Sequence, residues 1–334
     1  MEPSNGVESA SLRRKRFAAY AWVVTALTLA VILWGAYVRA SRSGDGCGAH
    51  WPLCNGTVML PDAAQAKTLI EFAHRATSGL AFLLVVVLVV WAFRTFRRGH
   101  PARAAAVASG VLIVTESLIG AGLVLLRLVA DNASVARALY LSVHLVNTFL
   151  LVAALALTAW CATEACASRV RLRHILRGRA GVALVAALAL GVSGAVAALG
   201  ATLFSERAEA VAVPETSPSA QLLFSLRQYK LHPLLAVLVG AYLIYFALRA
   251  RRSFADAWVR RWAASVVALV FAQLGVGLLN AALLAPVWLQ IVHLLLADLI
   301  WLALVLLSAS SLAQRTEPRA VASGSHVTRE VLIT

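Results

Sequence analysis

Charge is scarce in this chain and acid is scarcer: 13% of its 334 residues are charged, with 15 Asp and Glu against 30 Lys and Arg. So little charge cannot keep a chain with 61% hydrophobic residues in water, which excludes a soluble globular protein. The sequence also lacks any basic module interleaved with aromatics, so the formal charge of +15 does not point to nucleic acid. Paired Gly/Pro interruptions inside the apolar runs, the mark of a transporter's broken helices, are missing too.

What is present is a series of apolar runs about 20 residues long, the length an α-helix needs to cross the hydrocarbon core. Eight occur, at 17–38, 68–93, 104–127, 136–160, 180–204, 224–248, 258–282 and 287–312. The first is too long for a cleaved signal peptide and has no small-residue cleavage site behind it, so a retained helix is expected. Basic residues gather before span 1 (Arg13, Arg14, Lys15, Arg16), between spans 2 and 3 (Arg94, Arg97, Arg98, Arg103), between 4 and 5 (Arg169, Arg171, Arg173, Arg177, Arg179) and around the link from 6 to 7. The other connections are poor in net positive charge. This alternation predicts an all-α integral membrane protein with eight transmembrane helices, multi-pass in the cell membrane, both termini cytoplasmic.

The two halves resemble each other. Aligning V-H-L of spans 4 and 8 matches His144 with His293, and aligning EFAHRATSGLAFLLVV with YKLHPLLAVLVGAYLI matches His74 with His232. Spans 3 and 7 share a polar-then-glycine element, Glu116 to Gly120 and Gly122 against Gln273 to Gly275 and Gly277; Gly191, Gly194 and Gly200 mark span 5. The expected architecture is two tandem four-helix bundles, 17–167 and 180–313, related by a pseudo-twofold axis along the membrane normal. A cytoplasmic tail 1–16, a basic linker 168–179 and a tail 314–334 complete it. The glycines on spans 3, 5 and 7 are read as aids to close helix packing rather than to chemistry.

Four of the eight histidines, His74, His144, His232 and His293, fall within the first two turns or so of even-numbered spans, near the outer face. A single one there would be an interfacial residue. Four at repeat-related positions mark a site, and two per bundle on facing helices suit the axial ligation of haem iron. His50, His100, His174 and His326 lie in loops or tails. In the first outside loop, 39–67, Cys47 and Cys54 are seven residues apart among Gly44, Gly46, Gly48 and Pro52; a small ring or two free thiols are both open. Cys161 and Cys166, at the cytoplasmic end of span 4, are expected to be reduced.

Glu71 lies three residues before His74 on one helix face, and its matched position in the second half is Tyr229. It is either a base beside one histidine pair only or a helix N-terminal acid favoured by the dipole. Glu116, mid-span, reads equally as a proton relay or as a packing contact to Asn147 or Thr115. Arg39, Arg75, Arg127, Arg227 and Lys230, at outer helix ends, suit either haem propionates or snorkelling to headgroups.

The segment WGAYVRASRSGDGCGAHWPLCNG, followed by EFAHR and the two-by-two histidine pattern, resembles the haem A synthase family over nearly the whole membrane region. The resemblance implies an oxidoreductase acting on a CH3 group, converting the C8 methyl of haem O to the formyl of haem A for terminal oxidases. It implies that His74 and His144 flank the substrate haem and that His232 and His293 ligate a resident haem b. It further implies Glu71 as the catalytic carboxylate, a Cys47–Cys54 disulfide, an unidentified electron acceptor, and a haem O synthase and oxidase assembly factors as partners. Many members carry a second cysteine pair between spans 5 and 6; here SERAEAVAVPETSPSAQ has none. The alternative is a di-haem, quinone-linked electron-transfer protein that leaves haem unmodified.

Overall fold

The computed structural model describes residues 4–57, 64–163, 178–204, 218–228 and 231–316. Its helices are α1 (Ser4–Ala40), α2 (Ala66–Thr95), α3 (Pro101–Leu125), α4 (Val135–Cys161), α5 (Arg179–Leu203), α6 (Pro218–Gln228), α7 (Leu231–Ser253), α8 (Ala257–Ala282) and α9 (Val287–Thr316). All but the short α6 are long and apolar enough to cross a membrane, the eight spans of a multi-pass membrane protein. Among the described residues there is no strand, only an isolated bridge between Cys54 and Thr57.

One element departs from expectation. The first helix starts at Ser4 rather than near residue 17, and its lead enters the apolar run through Leu12, Arg13, Arg14, Lys15 and Arg16, all good helix formers. The sixth run is described as α6 and α7, with 229–230 outside the described residues.

In the N-terminal half, α1 and α3 each pack against both α2 and α4. In the C-terminal half, α5 and α8 each pack against both α7 and α9. Across the two halves α4 meets α5 and α9, and α1 meets α9. The tightest apolar packing lies toward the end remote from the cysteine loop, where Phe17, Val85, Leu88, Leu151 and Leu155 form one cluster. Val259, Val266, Leu304 and Leu307 belong to another. A third cluster joins the halves: Phe149 stacks on Trp301 with ring centroids 5.4 Å apart, and the Trp301 indole N–H donates to the Phe149 carbonyl at 2.6 Å.

At the cysteine-loop end, α1, α3 and α8 stop in the same way. Arg42, Arg127 and Leu284 adopt the left-handed conformation (φ 53°, 54° and 59°). The next residue then donates back across the turn: Ser43 N–H to Val38 O, Leu128 N–H to Leu123 O and Ala285 N–H to Asn280 O. This Schellman closure satisfies carbonyls that a helix end leaves orphaned.

Because Leu155 is wholly buried and Leu83 is 62% exposed on an outer face, the two truncations separate packing from lipid contact. Leu155→Ala should cost about 2 kcal/mol through the cavity it leaves. Leu83→Ala should leave the thermal midpoint of the detergent-solubilised protein nearly unchanged; equal losses from both would refute this core assignment.

Candidate functional site

The four histidines share one local design, which glycine makes possible. Each ring rests on a glycine of an adjacent helix: His74 of α2 on Gly35 of α1, His144 of α4 on Gly120 of α3, His232 of α7 on Gly194 of α5, and His293 of α9 on Gly277 of α8. A Cβ added at Gly35, Gly194 or Gly277 would stand only 2.9, 3.0 and 3.0 Å from the facing Cε1, closer than carbon atoms pack; at Gly120 the distance is 4.0 Å. These glycines therefore do more than bring helices together. They set where an imidazole sits. Along the described helices His293 is in the second turn of α9, and His74 and His144 are in the third turns of α2 and α4.

His232 and His293, from diagonally placed helices, have ring centroids 6.4 Å apart at 84°. With a metal–imidazole bond of about 2 Å and about 1 Å from ring nitrogen to centroid, two axial imidazoles stand about 6 Å apart, so this pair has the spacing of a bis-histidine haem site. His232 Nδ1 is 2.9 Å from the Ser193 hydroxyl, which leaves its other nitrogen available. His74 and His144 are close enough for charge on one to be felt by the other. The buried Nδ1 atoms of His74, His144 and His293 have no hydrogen-bond partner among the described residues. No metal-binding cluster of three or more His, Cys, Asp or Glu occurs there, so a metal held between two rings would need a macrocycle for its remaining ligands.

Glu71 is 3% exposed and sits at the centre of a polar knot. Its Oε2 accepts from the Cys47 backbone N–H at 2.8 Å, and its Oε1 accepts from Arg75 Nη2 at 2.6 Å and Nε at 3.2 Å. Arg75 also donates to the His50 and Leu53 carbonyls, each at 2.6 Å. Thr68 donates to Gly46 O at 2.8 Å, and a Cβ on Gly46 would lie 2.5 Å from the Lys67 backbone, so only glycine fits. Cys47 and Cys54 form a disulfide, both buried, and just beyond the ring an Asn55–Gly56 turn with positive φ at both residues pairs Cys54 with Thr57. The loop is thus bound to the face of α2 that carries His74.

Glu116 turns out to make a contact across helices. Its Oε2 accepts from Asn147 Nδ2 at 2.5 Å, its Oε1 accepts from the Thr148 hydroxyl, and Thr115 donates to Asn147 Oδ1 at 2.7 Å. Oε1 also stands 3.4 Å from His144 Nδ1, beside it but outside hydrogen-bond geometry. Two of the arginines considered for propionates are committed to protein. Arg75 holds the loop; Arg39 donates to Ala198 O, the Thr202 hydroxyl and Gln290 Oε1 at 2.8, 2.7 and 2.9 Å. Arg127 is exposed, whereas the Arg227 side chain, Lys230 and Tyr229 fall outside the described residues.

With this geometry in view, the matching family model is decisive: the cytochrome oxidase assembly protein family, COX15-CtaA, matches residues 18–305. The chain belongs to that family. A Thermus thermophilus protein named protoheme IX farnesyltransferase is 49% identical over 306 residues, 90% of this chain but 50% of that protein. Heme A synthases of Alkalihalophilus pseudofirmus and Geobacillus kaustophilus are 39% and 42% identical over 110 and 106 residues, which are 33% and 31% of this chain and 37% and 33% of theirs. The chain therefore spans half the length of the Thermus relative, and its matches to the heme A synthases are partial.

For a member of the COX15-CtaA family read without its relatives, several residues around the site escape notice. Gly35 and Ser193 have no distinguishing signal beyond their register with the histidine pattern. Asp298, wholly buried with neither oxygen hydrogen-bonded among the described residues, did have one: an acid inside an otherwise apolar run. Arg137 is buried and ties the α3–α4 connection by donating to Ala130 O and Asn132 O at 2.6 and 3.0 Å. Cys161, expected as a reduced thiol, is disulfide-bonded at the point where α4 stops, while Cys166 lies outside the described residues. A surface cavity of about 430 Å³ lined by Arg98, His100, Arg103 and Val107 lies at the opposite end from the histidines. There His100 caps α3, and burial together with Arg14 lowers its pKa.

Removing the Glu71 acceptor should free the loop. In Glu71→Ala, amide exchange over residues 43–57 should quicken at least about tenfold, the scale of a hydrogen bond to a charged group, while α4 amides stay protected. Unchanged loop exchange would show that the disulfide alone holds it.

Proposed function

We propose that this protein is a haem A synthase, which oxidises the C8 methyl of haem O to a formyl group and so supplies haem A to terminal oxidases. The observation that carries the reading is the histidine design: repeat-related imidazoles, each seated on a glycine, with His232 and His293 spaced as axial ligands. Family membership and the partial matches to named heme A synthases support it. We take the two sets of helix neighbours as tandem bundles related by a pseudo-twofold axis, with termini on the cytoplasmic side of the cell membrane and both sites toward the outside. The basic connections between spans support that orientation.

In this reading His74 and His144 hold the substrate haem O, and His232 and His293 hold a resident haem b. A haem b held by His232 and His293 would supply one-electron chemistry there. Methyl-to-formyl conversion with oxygen from water releases four electrons and four protons, so both a proton acceptor and an outlet for electrons are required. The outlet is the C-terminal pair, from which an external oxidant would take the electrons. If His74 and His144 held the substrate haem from its two sides, the reacting carbon would be at the ring edge rather than at the iron. Glu71, one turn from His74, is the acceptor we assign. Its two oxygens are occupied by Arg75 and the Cys47 N–H in the resting structure, so taking up a proton requires Arg75 to release Oε1. The Cys47–Cys54 disulfide sits on the same carboxylate. Haem O is a farnesylated haem, and a relative half of which matches this chain is named for farnesyl transfer to protoheme; a haem O synthase, alongside oxidase assembly factors, is the partner we propose.

A di-haem, quinone-linked electron-transfer protein would use the same histidines and has no need of Glu71 or its loop. Expression in a host that makes haem O but no haem A separates the two. A new formyl-haem band in extracted pigments is expected, lost in Glu71→Gln although haem is still bound. Bound haem with no haem A formed would favour the electron-transfer reading, and a Glu71→Gln variant working at the normal rate would remove the role given to that residue.

A further inference from the structure

The two histidine pairs share their glycine seats but differ in the side chain beside one ring of each. Glu116 and Gly120 are four residues apart on α3, as are Gln273 and Gly277 on α8, so each polar group projects on the face of its glycine. Both face the histidine that the glycine seats. Glu116 Oε1 is 3.4 Å from His144 Nδ1, and Gln273 Nε2 is 3.3 Å from His293 Nε2. The Schellman closures following these helices fall in the same register, at Arg127 and Leu284, so the correspondence holds through the rest of both helices. One half therefore presents a carboxylate to its histidine and the other an amide.

A carboxylate is an acceptor only, whereas an amide offers donors as well. Glu116 is aimed from the α4 side: Asn147 and Thr148, both on the helix of His144, donate to its two oxygens. Gln273 has no such support, and its Oε1 is buried without a partner among the described residues. An acceptor beside the outer nitrogen of a metal-ligating imidazole fixes its tautomer and raises its basicity, and a more basic axial ligand favours the oxidised metal. The Gln273 amide meets the other ring nitrogen of His293, Nε2, and leaves Nδ1 without a partner among the described residues, so that ring has no such acceptor.

We propose that Glu116 is a positioning residue. Acting through His144, it biases the haem of the N-terminal pair toward the oxidised state, and Gln273 leaves the C-terminal pair the more readily reduced of the two. The arrangement gives electrons a preferred direction, from the substrate site to the resident haem. This rests on the functional reading above and adds a role for a residue which that reading leaves idle.

Reductive titration in single-site backgrounds tests it, with His293→Ala leaving the N-terminal site and His144→Ala leaving the C-terminal one. In Glu116→Gln the ratio of oxidised to reduced haem at the N-terminal site, at fixed ambient potential, should fall about tenfold. For a one-electron couple that is a rise of about 59 mV in midpoint. Gln273→Glu should move the C-terminal site in the opposite direction, and the iron–histidine vibration should shift with each exchange, which a merely structural role would not produce. If Glu116→Gln fails to retain haem, the Gln273→Glu arm decides by the same criterion. Wild-type protein that binds haem at both sites with neither midpoint moved by its exchange overturns this proposal alone. Wild-type protein that binds no haem overturns the functional reading and this proposal with it.

Discussion

The contact between an imidazole and the bare Cα of a glycine on the neighbouring helix is the constraint on which the rest of this molecule depends. In lipid there is little hydrophobic gain in bringing two helices together, so close packing and polar contacts must hold them. A glycine opposite each histidine lets the ring enter the space that a side chain would fill, at separations near 3 Å from where a Cβ would stand for three of the four. Helix order, crossing and depth must all agree for this to occur three times, with the fourth ring, His144, in ordinary contact distance of Gly120. The order of neighbours α1–α2–α3–α4 and its counterpart α5–α7–α8–α9 is one arrangement in which every histidine helix is flanked by its glycine helix.

On this shared frame the halves are made unequal by a few polar groups. The N-terminal half carries Glu71, its ion pair with Arg75 and a disulfide-closed loop drawn onto α2. It also places a carboxylate beside His144 where the other half places an amide beside His293. A buried charge is costly unless paired and hydrogen-bonded, and Glu71 meets both conditions through neighbours four residues away along its helix and 24 residues away in sequence. Polar groups that could have served a ligand directly are instead committed to holding the site's surroundings in place.

The same economy joins the halves. Arg39 and Arg42 leave the end of α1 and donate to Ala198 O, Thr202 O and Leu203 O in the last turns of α5. The Thr202 and Leu203 carbonyls belong to the final turn, which a helix cannot satisfy by itself, and Ala198 O accepts from the Thr202 hydroxyl as well. Cations at the negative end of the α5 dipole complete the match. At the cysteine-loop end one half therefore caps the other, while Phe149 and Trp301 lock them further along the bundle.

Span number, the alternate placement of the histidines and the pairing of Glu116 with Gln273 were legible in the residues, since hydropathy over a membrane-crossing length and repeat register are properties of a short stretch of chain. Other features depended on packing. That Glu71 is held by Arg75 and the Cys47 N–H, that Arg39 reaches a helix 159 positions on, and that Gly35 underlies His74 are facts about which surfaces meet. A linear pattern shows that a helix has a polar face or a bare one, but not what that face is turned toward. The sequence by itself determined a membrane protein with four placed histidines; only the tertiary structure decided what each of them rests against, because contacts between distant segments are chosen when the helices assemble and leave no local periodicity behind.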